Sequence, residues 1–167
     1  AALILGVDAG IIFSDILIPL EAMGLEVVFR EPGGPGLPDP IKDAADLKRL
    51  SIPDPDKKMP FVAEAIRLTN ERLAGRVPLI GFAGAPFTLA AYAVDGGGSK
   101  SFSKTLGWMH GSPDTFGVLL DRLTDTIIES LRAQVVAGAH AVQLFDSWGG
   151  LLSRDDWRRH CVPRLHR

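Results

Sequence analysis

Residues 77–94 read VPLIGFAGAPFTLAAYAV, and this stretch decides the fold class. Val77–Ala83 is apolar and rich in β-forming residues, which is typical of a buried strand. A Gly-Ala-Pro turn at residues 84–86 then closes the strand, and Phe87–Val94 has a helical composition. The segment therefore predicts a strand, a turn and a helix in direct succession.

Three further apolar runs repeat the strand pattern. They are Ala9–Leu17, Leu25–Arg30 and Ala139–Phe145. These runs lack a regular polar face, which is the pattern of strands buried on both faces of a parallel sheet. Their alternation with helical segments predicts parallel βαβ units and an α/β fold.

Two longer helices are predicted between these runs. In Lys57–Ala74 the apolar residues recur at helical spacing, and Gly75 stands where a glycine C-cap belongs. A second helix follows Ser112, whose side chain we expect to cap it, and ends at Gly138. By contrast, Glu31–Pro40 holds three glycines and four prolines, so we expect only loop or turn there.

Composition excludes several classes of function. The 167 residues are 46% hydrophobic and 23% charged, with a formal net charge of −2 and a pI near 6.1. This balance is that of a globular protein and disfavours nucleic acid or an anionic membrane surface as partner. No segment approaches the roughly 18 apolar residues of a membrane span. The single cysteine, Cys161, excludes an internal disulfide, and a cytoplasmic location is expected by default.

The ends of the chain are unusual for a complete gene product. The sequence begins at Ala1 in apolar residues and stops within a helical pattern at residues 161–167. We therefore expect a fragment of a longer protein.

Candidate site residues are those that close the apolar runs, because ligands of parallel α/β proteins bind beyond the carboxyl ends of the strands. An aspartate in such a run needs hydrogen-bond donors or a cavity, so Asp15 is either a helix cap or a ligand-facing carboxylate. For Asp146 and Ser147 the same helix-cap role is the alternative, since Asp and Ser are common after strands. Four segments of this kind occur: Phe13-Ser14-Asp15, Phe29-Arg30-Glu31, residues 81–86 and residues 145–150.

The glycine-rich segment at residues 95–100, DGGGSK, does not have the spacing of a phosphate-binding loop. It is either a flexible loop or an active-site loop, and the preceding Tyr92 is either a core or a site tyrosine. No metal site is expected, because the four histidines are scattered and no His-Glu-x-x-His motif occurs. Cys161 is expected to be a packed thiol.

Several strings together closely resemble the uroporphyrinogen decarboxylase family. They run in order along the whole chain and are long enough to be specific. They are Gly6-Val7-Asp8-Ala9, Phe13-Ser14-Asp15-Ile16-Leu17, residues 81–89 (GFAGAPFTL) with Tyr92, Gly96-Gly97-Gly98-Ser99-Lys100, and residues 143–150 (QLFDSWGG).

The resemblance implies a (β/α)8 TIM barrel, of which residues 1–167 would form about half of one domain. Such enzymes remove the four acetate carboxyl groups of uroporphyrinogen III to give coproporphyrinogen III in haem biosynthesis. The family uses no metal or organic cofactor and is commonly a homodimer.

Carried over by motif, Asp15 would be the catalytic carboxylate that accepts hydrogen bonds from the pyrrole N–H groups. Tyr92 and Ser147 would be substrate-binding hydroxyls. The family's N-terminal Arg-Gln-Ala-Gly-Arg type segment and the later barrel strands, with a site histidine, do not occur in these residues. We therefore expect the isolated chain to be inactive.

Two alternatives remain. A corrinoid-linked methyltransferase resembles the decarboxylase in fold but uses a zinc-thiolate site, and the single Cys161 and the absence of a His-x-Cys motif oppose it. The chain could also be a non-catalytic half-barrel that associates with another chain.

Overall fold

The structure, a computed structural model, describes residues 2–31 and 34–167. The strands are β1 (Gly10–Ile11), β2 (Val28–Arg30), β3 (Gly34–Gly36), β4 (Leu79–Gly84) and β5 (Ala141–Phe145). The α-helices are α1 (Ala2–Leu5), α2 (Ile18–Ala22), α3 (Pro55–Lys58), α4 (Pro60–Leu73), α5 (Pro86–Asp95), α6 (Ser103–Gly111), α7 (Pro113–Val136), α8 (Arg154–His160) and α9 (Val162–Leu165). Short 3-10 turns lie at Asp46–Arg49 and Gly149–Leu151. No helix within the described ranges has the length and apolar character needed to cross a bilayer.

The central sheet contains three parallel strands in the order β1-β4-β5. Helical segments lie between the successive strands of this sheet along the chain. Spatial order therefore follows chain order, as it does in a (β/α)8 barrel, whereas a doubly wound sheet reverses its order at a switch point. The α/β prediction and the strands predicted around residues 77–83 and 139–145 are confirmed.

The predicted strand at Leu25–Arg30 does not join this sheet. Its second half forms β2, which pairs antiparallel with β3 in a separate two-stranded ribbon. The prediction that Glu31–Pro40 is only loop is therefore wrong for β3. A ribbon of two strands has only edge strands, and an edge tolerates a proline such as Pro35. Pro32 and Gly33 of that segment, and the side chain of Arg30, lie outside the described residues.

The helices differ from prediction at their ends. Lys57–Ala74 is not one helix, because Pro60 starts α4 and Met59, with φ −135°, separates it from α3. Ala74, with φ 50°, takes the C-cap position expected of Gly75. The side chain of Ser112 makes no capping hydrogen bond to α7, although its carbonyl oxygen accepts one from the Thr115 hydroxyl at 3.1 Å.

The main core lies between α5 and α7. Phe87 and Leu89 of α5 are buried against a row of α7 side chains that are completely shielded from solvent. Burying a large apolar side chain contributes about 1.5–3 kcal/mol, so this helix pair carries much of the stability. The α7 row consists of Phe116, Leu119, Leu120 and Leu123.

The strands at the two sides of the sheet are less buried than predicted. Phe13, just after β1, is 72% exposed, and Val142 of β5 is 42% exposed. In a three-stranded sheet both outer strands are edges, and each has a neighbour on one side only. The expectation that these runs are buried on both faces is therefore wrong for β1 and β5.

A glutamine of α7 completes the central strand. β1 follows β4 only as far as the hydrogen bond from the Ile12 amide to the Ile80 carbonyl at 2.9 Å. At Phe82, the Gln134 side chain accepts from the backbone N–H and donates to the backbone carbonyl, both at 2.8 Å. Gly81 leaves room for it, because a Cβ there would lie 2.5 Å from Gln134 Oε1.

Replacing Gln134 with leucine should destabilise the fold. Both polar backbone groups of Phe82 would lose their partner in a buried place, and each unpaired group costs about 1–3 kcal/mol. We expect the free energy of unfolding to fall by about 2–4 kcal/mol, measured by urea denaturation. Gln143→Leu, the same change at an exposed position of β5, should stay within about 0.5 kcal/mol. Equal effects of the two substitutions would contradict this role of Gln134.

Candidate functional site

Asp15, Tyr92 and Ser147 line one open cleft of about 610 Å³. Asp15 lies between β1 and α2, Tyr92 on α5, and Ser147 directly after β5. The volume falls within the range of about 300–1,000 Å³ that is typical of small-molecule sites. The wall is mostly apolar, and its other residues are Phe13, Ser14, Ile16, Leu17, Phe29, Pro35 and Phe145.

The helix-cap interpretation of Asp15 is wrong, because the N-cap residue of α2 is Leu17 and no side chain caps that helix end. Asp15 Oδ1 accepts a hydrogen bond from the Leu17 amide at 2.8 Å, which stabilises the turn into α2. Within the described part of the chain, Oδ2 has no hydrogen-bond partner. The side chain is half-buried and borders the cleft. One oxygen is therefore structural, and the other is available to a ligand.

Tyr92 is a packed ring with an unused hydroxyl. The ring makes edge contacts with Phe102 and Trp148, at centroid distances of 6.1 and 6.2 Å. No described residue forms a hydrogen bond with its hydroxyl, and the residue is half-buried at the cleft. The packing fixes the ring and leaves the hydroxyl free for a ligand.

The loop that carries Ser147 is anchored on both sides of that residue. The buried Thr88 hydroxyl donates to Asp146 Oδ1 at 3.1 Å and accepts from the Trp148 amide at 3.2 Å. The other Asp146 oxygen accepts from the Trp157 indole N–H at 3.3 Å. Asp146 is therefore not the predicted helix cap, because Trp148 is the N-cap of the 3-10 turn at Gly149–Leu151. The Asp146 side chain anchors the loop instead, and Ser147 is exposed on the cleft.

The β2–β3 ribbon forms another wall through Phe29 and Pro35. It is fastened to the end of α5, because Gly36 pairs with Gly97 and the Leu37 amide donates to the Gly96 carbonyl at 2.8 Å. A Cβ at Gly36 would lie 3.3 Å from that carbonyl oxygen. The ribbon and the end of α5 are therefore joined by contacts between their backbones.

The glycine-rich loop at residues 95–100 supplies the α5 side of these contacts. Gly96, with φ 85°, ends α5 in the left-handed conformation. Asp95 accepts hydrogen bonds from the amide and hydroxyl of Thr105 at 3.1 and 2.6 Å, which joins α5 to the start of α6. The loop therefore holds neighbouring elements together beside the cleft, and none of residues 95–100 lines the cleft itself.

A second, smaller cavity of about 110 Å³ also borders residues 12–16. Its remaining walls come from the region around α2, α4 and α7, and they include Gln134. Both ends of the Gln134 amide group are already bonded to Phe82. Asp15 borders both spaces, but Tyr92 and Ser147 line the larger cleft and not this cavity, so the larger cleft is the candidate site.

The cysteine and the histidines do not add a nucleophile or metal centre to this cleft. In residues 2–31 and 34–167, no group of three or more His, Cys, Asp or Glu side chains is placed to hold a metal ion. Cys161 is buried, and burial together with the nearby Asp146 charge raises the pKa of its thiol to about 12. Burial likewise lowers the pKa of His160, which packs edge-on against Phe116.

Sequence reasoning assigned no role to Thr88 or Gln134. Thr88 is a polar residue one helical turn before Tyr92 in the otherwise apolar start of α5. Gln134 is a polar residue on the buried face of α7. A polar side chain on an apolar helix face is the signal that points to such anchors, because a buried polar group requires a partner.

One family model and several curated relatives match nearly the whole chain. The family model described as uroporphyrinogen decarboxylase (URO-D) matches residues 3–167. A uroporphyrinogen decarboxylase of Myxococcus xanthus is 56% identical over 163 residues, which cover 98% of this chain and 47% of the relative. One from Syntrophotalea carbinolica is 52% identical over the same coverage. The chain therefore spans about half the length of the curated relatives it matches.

A solved structure supports the fold assignment. A methyltransferase from Methanosarcina mazei superimposes with a TM-score of 0.81 at 25% sequence identity, covering 98% of this chain and 48% of the other. The sequential parallel strands and this coverage fit about half of a (β/α)8 barrel. The fold-class prediction is confirmed.

The Cys161 thiol should be unreactive in the folded protein. Thiolate is the reactive form, and a thiol whose pKa is about 12 is almost fully protonated at pH 8. We expect iodoacetamide at pH 8 to label the native protein at least about 100-fold more slowly than the urea-unfolded protein. Mass spectrometry measures the label, and Cys161→Ser should remove it entirely. Equal rates in both states would contradict the buried thiol.

Proposed function

Because the chain belongs to the uroporphyrinogen decarboxylase family, we propose that the whole protein decarboxylates uroporphyrinogen III. Removal of its four acetate carboxyl groups gives coproporphyrinogen III in haem biosynthesis. The observation that carries the proposal is the convergence of Asp15, Tyr92 and Ser147 on one cleft of about 610 Å³. These residues come from three separate regions of the chain.

Asp15 is proposed as the catalytic carboxylate. Its Oδ2 accepts hydrogen bonds from the pyrrole N–H groups of the substrate, while Oδ1 stays on the Leu17 amide. A negative charge held at this place stabilises the positive charge that the ring acquires during the reaction. The bond to Leu17 fixes the carboxylate before the substrate binds.

The proposed reaction conserves atoms, protons and electrons without a redox partner or organic cofactor. Protonation of the pyrrole carbon next to an acetate arm makes the ring cationic. The bond between the methylene carbon and the carboxyl carbon then breaks, and its electron pair enters the ring as carbon dioxide leaves. A proton added to the methylene carbon and loss of the ring proton leave a methyl group.

Tyr92 and Ser147 are proposed to bind the polar periphery of the substrate. Apolar residues such as Phe13, Phe29 and Phe145 offer contact area to the macrocycle. The substrate carries many carboxylates, which arginine binds well. No lysine or arginine is among the described residues that line the cleft, so we propose that the half of the relatives outside this match supplies these cations.

We propose that residues 1–167 form one partial barrel domain that is inactive alone. The cation-binding segment and the remaining strands of the family pattern are absent from these residues. For the whole enzyme we propose a cytoplasmic homodimer that requires no metal or organic cofactor. The dimer and the lack of a cofactor rest on the family relationship, and the location rests on Cys161, which is a free, buried thiol.

The methyltransferase alternative has the Methanosarcina mazei likeness in its favour. The zinc-thiolate site expected for that alternative does not fit Cys161, which is the only cysteine and is buried with a raised pKa. The 25% identity is also much lower than the 56% identity to the Myxococcus xanthus decarboxylase. Decarboxylation is therefore the better supported activity.

The deciding experiment compares the 167-residue chain with the protein expressed from its complete gene. Each is incubated with uroporphyrinogen III, and coproporphyrinogen III is measured by chromatography after oxidation to the porphyrins. Activity of the complete gene product supports the proposal. Concentration-dependent association with no decarboxylation by either protein would instead favour a non-catalytic half-barrel.

Asp15→Asn should lower kcat of the active protein by about 100- to 1,000-fold, the usual cost of losing a charge-stabilising group. Asparagine keeps an oxygen for the Leu17 amide, so the melting temperature should stay near that of the wild type. Asp8→Asn is the control, because Asp8 is exposed and does not line the cleft. Unchanged turnover in Asp15→Asn would refute the catalytic role.

Tyr92→Phe should raise KM by about 2- to 10-fold, since one neutral hydrogen bond contributes about 0.5–1.5 kcal/mol. The ring contacts with Phe102 and Trp148 persist, so thermal stability should not change. Steady-state kinetics separate KM from kcat, and Tyr92→Leu shows the additional effect of losing the ring. An unaltered KM in Tyr92→Phe would mean that the hydroxyl does not bind substrate.

A further inference from the structure

We propose that Thr88 is a positioning residue that sets the spacing between the Ser147 and Tyr92 hydroxyls. The inference rests on the proposed function, because it assigns both hydroxyls to substrate binding. Thr88 itself does not line the cleft. It acts through the two residues on either side of Ser147.

The Thr88 side chain connects α5 to the loop after β5. Its hydroxyl donates to Asp146 Oδ1 at 3.1 Å and accepts from the Trp148 amide at 3.2 Å. Ser147 is the residue between these two partners. One buried hydroxyl therefore holds the backbone immediately before and after the proposed substrate-binding serine.

The same threonine lies one helical turn before Tyr92. Residues four apart on a helix lie on the same face, so Thr88 and Tyr92 stand at a fixed spacing on α5. The ring of Trp148 also makes an edge contact with Tyr92, at a centroid distance of 6.2 Å. The two Thr88 hydrogen bonds and this ring contact together connect the Ser147 and Tyr92 hydroxyls to α5.

Two further hydrogen bonds hold Asp146 in place. Its second carboxylate oxygen accepts from the Trp157 indole N–H at 3.3 Å, and its carbonyl accepts from the Gly149 amide at 3.2 Å. A Cβ at Gly149 would lie 2.3 Å from Asp146 Oδ2, so a larger residue there would displace the carboxylate. The Asp146 side chain therefore cannot rotate toward another donor when the Thr88 hydroxyl is removed.

The test replaces Thr88 with valine, which keeps the shape and removes the hydroxyl. The Asp146 oxygen and the Trp148 amide lose a partner, so the loop around Ser147 is no longer tied to α5. In the protein expressed from its complete gene, we expect KM for uroporphyrinogen III to rise about tenfold with a smaller change in kcat. Thr88→Ser retains a hydroxyl and should restore KM to within about twofold.

Thr126→Val is a matched control. Thr126 is also fully buried on a helix, but its hydroxyl has no hydrogen-bond partner among the described residues. Removing it should leave KM unchanged. If Thr88→Val and Thr126→Val have the same KM, the positioning role is overturned.

A double-mutant cycle separates positioning from a general structural effect. If Thr88 acts through Ser147, Thr88→Val should raise KM far less in a Ser147→Ala background than in the wild type. Additive effects of the two substitutions would overturn the inference. Should Thr88→Val fail to fold, Asp146→Ala removes the acceptor of the Thr88 hydroxyl instead, and an unchanged KM there would overturn the inference as well.

The two proposals fail in distinguishable ways. A wild-type complete gene product that does not decarboxylate uroporphyrinogen III contradicts the proposed function. An active wild type whose Thr88 variants bind substrate normally contradicts only the positioning role.

Discussion

The two hydrogen bonds between the Gln134 side chain and the backbone of Phe82 allow the cleft to exist. A central strand normally needs a neighbour along its whole length, because unpaired buried amides and carbonyls are costly. Since a side chain of α7 pairs with β4 at Phe82, β1 can end at Ile11. The chain is then free to turn, and Asp15 reaches the cleft instead of continuing in the sheet.

The walls of the cleft are held in place by close backbone contacts and by α5. The glycines at residues 36 and 97 let the β2–β3 ribbon pair with the end of α5. Thr88, on the same helix, holds the loop after β5 through two hydrogen bonds. One helix, α5, therefore supports two sides of the site and carries Tyr92 itself, and its burial against α7 makes that support stiff.

The sequence was informative where structure is local. The apolar runs that become β4 and β5 and the helical run that becomes α5 were predictable from pattern, and the motif resemblance pointed to Asp15, Tyr92 and Ser147. Partners that lie far apart in sequence were not predictable, because pattern gives no spatial neighbour. Gln134 and Phe82 are 52 residues apart, and Thr88 and Asp146 are 58 apart. The antiparallel pairing of β2 with β3 was missed because prolines and glycines mask a short edge ribbon.

The fit between Gly81 and Gln134 has an evolutionary consequence. Any side chain at residue 81 would occupy the space of the glutamine amide, and a shorter residue at 134 would leave the strand unpaired. A substitution at either position alone would destabilise the fold, so we expect Gly81 and Gln134 to be conserved together. Descendants that lose one are expected to have lost the other, and to have restored the pairing of β4 with a longer first strand.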